Sequence, residues 1–141
     1  MRSAVNPTMP AEAEDLRAAA RAAVEDIGDV DAFRRAEVDP DCRRIEVAPV
    51  LDALGVDGID PRDGDVALAA AAVLCEVGGD AALPYPLASV LVRDADGRPT
   101  AVVPSGRPLV DHGDLFPRWR VASPVGDGGI AAGATERLDS R

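Results

Sequence analysis

Between Asp65 and Glu76 the chain reads VALAAAAVLC, a run without a single charge in a molecule whose formal net charge is -10. Its composition favours helix and offers no polar face, so a helix built from it is expected to be buried on most sides rather than along one stripe. The run is about half the roughly 20 residues that span a bilayer, so protein rather than lipid must cover it. Asp65 is the expected N-cap, Gly78 and Gly79 the expected stop, and Leu83-Pro84-Tyr85-Pro86 a rigid bend before a shorter helix resumes.

The cover has to come from the preceding residues. The segment from Pro10 to Ile27 is predicted to be helical: Pro10 suits a first helical position, Glu12, Glu14 and Asp15 lie near the positive end of the helix dipole, and Gly28 follows the last turn. Leu16, Ala20, Ala23, Val24 and Ile27 recur at the helical period and form one apolar stripe. From Asp29 to Leu54 the pattern is less regular. Asp39-Pro40 is a start signal, Pro49 interrupts, and Gly55 is a stop, which predicts two short helical pieces or one kinked helix ending at Leu54. Aromatic residues make up only 3% of the chain, so the core must be built from Ala, Val, Leu and Ile.

After Val92 the character changes. AVVP, RPLVDHGD and RWRVAS are short, partly alternating segments split by Gly and Pro, the pattern of β structure. Three such strands are too small to stand as a domain. The expected fold is therefore mainly α: a flexible N-terminus at 1–9, a bundle of four to five helices at 10–93, the start of a β region at 94–122, and a tail at 123–141 expected to be disordered because it lacks periodicity and large apolar residues.

Charge and motifs exclude several classes of function. An acidic surface repels phosphate backbones and anionic lipid heads, so neither nucleic acid nor membrane is an expected partner. The N-terminal residues lack the apolar core of a secretory signal, which favours a cytoplasmic location. Cys42 and Cys75 have no metal-ligand spacing and read as small hydrophobes; no metal site is expected. GDGG lacks both the P-loop and the dinucleotide-binding patterns. In Asp111-His112-Gly113-Asp114 a carboxylate stands beside an imidazole, the arrangement of many general bases, but no nucleophile accompanies it and a polar turn is the better reading. Arg118-Trp119-Arg120 in a strand puts the arginines on one face and the ring on the other.

The order LDALGVDGIDPRDGD, then VALAAAAVLCEVGGDAALPYPLASVLV, resembles the N-terminal helical domain of acyl-CoA dehydrogenases, especially divergent actinobacterial members. The family's turn of the form LGxxG matches Leu54 to Pro61, and its proline-containing bend after a buried Ala-rich helix matches Gly79 to Pro86. VDHGDLFPRWRVA, Val110 to Ala122, is similar to the entry into the family's central β domain. The resemblance implies α,β-dehydrogenation of acyl-CoA thioesters with FAD as hydride acceptor. It also implies that the FAD-binding strands and the catalytic Glu lie beyond this chain, so no catalytic or cofactor-binding residue is assigned and the chain alone is expected to bind no flavin. Tyr85 and Leu87, in and after the bend, are implied to lie near the acyl-chain pocket. The implied partners are acyl-CoA dehydrogenase-like subunits, as a homo- or hetero-oligomer. Two other readings stay open: a non-catalytic assembly module of a heteromeric complex, and a small helical interaction protein outside the family.

Overall fold

Helix α4 (Asp65–Asp80) packs along α1 (Ala11–Ile27), and this pair is the spine of a mainly helical fold. The structure, a computed structural model, describes residues 8–27, 29–103, 110–124 and 130–136. On α1 the residues turned inward are Ala13, Ala20 and Val24, with Leu16, Ala23 and Ile27 half-buried at the edges, which is the predicted stripe. Small side chains let the two helices approach closely. Arg17 closes one flank of the contact with an ion pair to Glu76 at 2.9 Å. The expected role of Gly28 falls outside the described residues.

Both ends of α4 differ from expectation. Gly64, not Asp65, is the N-cap: its φ of 117° suits glycine, and its carbonyl accepts the Leu68 N–H at 2.9 Å. Asp65 becomes the first helical residue, with its charge near the positive end of the dipole. At the other end the helix runs through Gly78 and Gly79 to Asp80. The stop is made by Ala82, whose φ is +48°. The Leu83 N–H reaches back to the Gly78 carbonyl at 2.9 Å and the Ala82 N–H to that of Gly79 at 3.1 Å, the paired bonds of a Schellman motif. The two glycines serve packing instead. A Cβ on Gly78 would stand 3.1 Å from Leu87 Cδ2, so glycine there permits the close approach of the following helix.

Burial of α4 is also less complete than its composition suggests. Ala71, Val73, Leu74, Val77 and Gly78 are buried, but Val66 is 49% and Leu68 55% exposed, and Ala72 and Cys75 are exposed as well. Leu68, Ala72, Cys75 and Gly79 follow one another at helical spacing, so an apolar stripe faces outward.

Between these helices the chain forms α2 (Asp29–Val38), a π-helical turn (Arg43–Val47), α3 (Ala48–Ala53) and a 3-10 turn (Val56–Gly58). Pro49 does not break the path, because it falls in the first turn of α3, where its missing N–H has no partner to lose. The widened turn just before it is closed by the Ala48 N–H on the Arg43 carbonyl. Gly55 stops α3 as expected, with φ +77°. Val47, Leu51 and Val56 join Ala20, Val24, Ala71, Leu74 and Val77 in one core, which α5 (Leu87–Leu91) completes through Leu87, Val90 and Leu91.

Three strands follow in the order β1 (Thr100–Val102), β2 (Arg118–Pro124) and β3 (Ile130–Glu136). β1 is parallel to β2, with Ala101 opposite Val121; β3 is antiparallel to β2, with Val121 opposite Gly133. Two sequence expectations are corrected here. Val110 to Asp114, read as part of a strand, is a turn with His112 at φ +58°. Within the stretch 123–141, expected to be disordered, Ser123 and Pro124 complete β2 and Ile130–Glu136 pair along it as β3. Main-chain pairing supports that strand although its sequence, IAAGATE, lacks the large alternating residues that advertise one. The other residues of the tail, and residues 1–7 of the N-terminus, lie outside the described residues. Among the described residues, no helix is long and apolar enough to cross a membrane.

Candidate cleft at the proline bend

Leu83 to Leu87 is shaped by two consecutive tight turns, each centred on a proline. The Tyr85 N–H bonds to the Leu83 carbonyl and the Leu87 N–H to the Tyr85 carbonyl, both at 2.8 Å. Pro86, at φ -78° and ψ 60°, has the inverse γ-turn conformation. Ring-locked φ values make this bend stiff, so the side chains it presents are held in place before any ligand arrives. The Val90 N–H then donates to the Pro86 carbonyl at 3.0 Å, which begins α5.

Tyr85 and Leu87, the two residues implied by the resemblance to line a pocket, do line one cleft, together with Cys75, Gly78, Gly79 and Leu83. Its volume is about 250 Å³. Of the two, Leu87 is buried and Tyr85 half-buried. Cys75 and Gly79 belong also to the exposed stripe of α4, so the cleft and the stripe are one continuous apolar surface.

Two further cavities adjoin the bend. One, of about 310 Å³, is lined by Tyr85 together with Asp52, Asp57, Arg93 and Phe116. Burial, then the charges of Asp52 and Asp57, push the Tyr85 phenol above its ordinary value, against a smaller opposing effect of Arg93. Tyr85 is therefore a neutral hydrogen-bonding group and not a base at neutral pH. The other cavity, of about 330 Å³, has Pro86 and Ser89 as lining residues in common with the first cleft and is also lined by Val103, Val110, Asp111 and His112.

His112 is held by Arg43. The guanidinium, buried at 8% side-chain exposure, places one nitrogen 2.8 Å from His112 Nδ1, a second on the Asp114 carboxylate, and Nε on the Pro40 carbonyl at 2.8 Å. Arg44 adds a bond to the Asp114 carbonyl. Burial and then the Arg43 charge hold the His112 pKa below its ordinary value, although Asp111 and Asp114 pull the other way. Burial raises the Asp114 carboxyl, but the Arg43 hydrogen bond and charge outweigh it, and the net shift is downward. Of the two readings of Asp111 to Asp114, strand and polar turn, the structure has the turn. Its engagement by an arginine far away in the chain carries no local sequence signal.

An aromatic row ties this region together. Tyr85 meets Phe116 edge to face at 6.4 Å, and Phe116 meets Trp119 at 5.5 Å. Trp119 is buried, donates Nε1–H to the Gly113 carbonyl at 3.2 Å, and leaves Arg118 exposed on the opposite face, as the strand pattern predicted. The row runs from the helical core to the sheet.

Cys42 is buried and Cys75 exposed. No cluster of three or more His, Cys, Asp or Glu side chains among the described residues is placed to hold a metal ion. Comparison with known proteins identifies no relative: no family model, no curated protein and no solved structure matches this chain.

Proposed function

We propose that this chain is the helical, acyl-binding portion of an acyl-CoA dehydrogenase-like protein, holding the alkyl end of an acyl thioester in the cleft at the proline bend and performing no redox step itself. The observation that carries the reading is the meeting of Tyr85 and Leu87 in one apolar cleft beside the glycines of α4. The helical layer followed by short strands supports it, as does the order of turns in the sequence.

FAD, which the family would supply as hydride acceptor, does not fit the cavities that the described residues form at the bend. Those at the bend span about 250 to 330 Å³, near or below the ~300 Å³ lower end for drug-sized ligands, and a flavin dinucleotide is larger than such a ligand. The redox chemistry and the base belong to residues elsewhere in the assembly, and a cytoplasmic location suits that role.

The test is a titration of the full chain with S-acyl-N-acetylcysteamine thioesters of increasing length, read by the emission of Trp119, which the aromatic row links to Tyr85. Each buried methylene is worth about 0.8 kcal/mol, or roughly fourfold in Kd, until the cleft is full. Leu87→Trp should abolish binding, read by calorimetry because the variant carries a second tryptophan. Affinity that ignores chain length, or a variant that binds as well as the parent, refutes the proposal.

A second reading, that the chain is a non-catalytic assembly module, is favoured by the exposed stripe of α4. Leu68→Glu should then reduce association with itself or with a dehydrogenase-like subunit in light scattering; unchanged association excludes that face.

A further inference from the structure

We propose that the outer edge of β3 docks a second copy of this chain. The two β3 strands pair antiparallel across a two-fold axis at Gly133 and join two three-stranded sheets into one.

The direction of each main-chain group in β3 follows from the ladder. The Arg120 N–H donates to the Pro99 carbonyl and the Ala122 carbonyl accepts from the Val103 N–H, both at 2.9 Å, so these two residues turn their main-chain groups toward β1. Directions alternate along a strand, so Trp119, Val121 and Ser123 turn theirs toward β3, onto Thr135, Gly133 and Ala131. Ile130, Ala132, Ala134 and Glu136 then present N–H and C=O on the outer edge, where no strand pairs with them among the described residues. Such an edge is a template for another strand, and folds blunt it with short length, proline or charge. β1, at the opposite edge, is three residues long. β3 is seven residues long, contains no proline and is uncharged from Ile130 to Thr135. Among the described residues its main neighbour is β2.

A second copy matches this edge in length, hydrogen bonding and charge. An axis at Gly133 sets Ala132 against Ala134 of the other copy and Ile130 against its Glu136, so every outward residue of both strands is used. Each of these pairs exchanges two hydrogen bonds, about eight in all. An axis at Ala132 or Ala134 leaves Glu136 or Ile130 beyond the end of the opposing strand. At Gly133 the two copies meet as a non-hydrogen-bonded pair, the closer kind, with Cα atoms about 4.5 Å apart. Gly133 is exposed, and a Cβ built on it meets nothing within 4 Å, so its own fold leaves the approach open. The chain carries a formal net charge of -10, yet the only charged residues of the three strands are Arg118, Arg120 and Glu136. Two acidic molecules can therefore meet at the sheet with little repulsion, and the pairing keeps each Glu136 away from its counterpart. Because both β3 edges are consumed, the assembly closes as a dimer.

Sedimentation velocity of the full chain over a concentration series should show a monomer that doubles its mass. Hydrogen exchange followed by NMR should show the Ala132 and Ala134 amides protected only in the concentrated sample, and those of Ala131 and Gly133 protected in both. Ala132→Pro removes an outward N–H that β2 does not use, so it should leave a monomer whose Ala131 and Gly133 amides stay protected. Gly133→Cys reads the register, and is made together with Cys75→Ser because Cys75 is exposed. Cα atoms about 4.5 Å apart lie within disulfide range, so mild oxidation should crosslink it. Thr135→Cys, set against Ala131 of the other copy, should not crosslink. A chain that stays monomeric, outer-edge amides protected at every dilution, or a dimer in which Gly133→Cys does not crosslink overturns the proposal. So does a dimer that Ala132→Pro leaves intact and Leu68→Glu abolishes, which runs through α4 instead.

Discussion

Replacing Gly78 with alanine tests whether the α4 glycines are packing residues, and Gly79→Ala is its internal control. Both lie inside α4, where alanine should gain about 0.8 to 1 kcal/mol over glycine. At Gly79 an added Cβ meets nothing within 4 Å, so the gain should appear in full. At Gly78 the Cβ stands 3.1 Å from Leu87 Cδ2, and the leucine must turn away toward the cleft it lines. Such a displacement costs about 0.5 to 1.5 kcal/mol and cancels most of the gain. Gly79→Ala should therefore raise Tm by about 3 °C and Gly78→Ala by close to zero. Urea unfolding followed by Trp119 emission gives both differences, and an unchanged m-value shows that only stability moved. Gly78→Ala should also weaken binding of long acyl thioesters, because Leu87 then intrudes on the cleft. Equal stabilisation by the two substitutions would show that α5 does not press on Gly78.

Other substitutions and pH address the remaining features. Ala82→Gly, which relieves a left-handed alanine at the end of α4, should stabilise the protein by about 1 kcal/mol in the same urea assay. Arg43→Met strips Asp114 and His112 of their shared partner and should cost about 2 to 3 kcal/mol, the range of hydrogen bonds to charged groups. His112 has a folded pKa below 6.5, so its contribution is complete above that pH and is lost as pH falls through 6.5 toward the folded value, the unfolded chain taking the proton first. Below about 4 a second loss should follow, because Asp94 and Asp114 titrate below their ordinary values and Asp60 is lowered to about 2 by its hydrogen bonds from Arg62. Unfolding midpoints of His112→Asn should lack the first of these two steps.

Local rules made part of this fold readable. The stripe on α1, the stop at Gly55 and the bend at Pro84 and Pro86 follow from periodicity and from residues with restricted or special φ, and the structure has them all. The stop of α4 departs from the rule that glycine ends helices, because here Gly78 makes room for Leu87 and an alanine takes the left-handed position. β3 lacked a signal because small residues do not alternate visibly, and pairing with β2 supplies what its side chains do not advertise. Tyr85 and Leu87, which the resemblance implied, line a cleft at the bend, whereas no sequence pattern points to Arg43. It reaches His112 across a distance in sequence that no local pattern spans.

The composition of α4 now has a physical account in two parts. Its inner face is apolar because it meets α1, the Val47–Val56 region and α5. Its outer face, Leu68, Ala72, Cys75 and Gly79, has no such neighbour among the described residues, yet carries no charge that would suit it to water. An exposed helix face with that composition is what an interface requires, and apolar residues there gain nothing from solvent. Because Cys75 and Gly79 also line the cleft at the proline bend, a subunit seated on the stripe would wall the cleft as well. Acyl binding and assembly would then be coupled, and by linkage each must strengthen the other by the same factor. The two readings of this protein thus make a joint prediction: a long acyl thioester should tighten association through α4, and Leu68→Glu should remove that tightening while sparing the affinity of the unassembled chain.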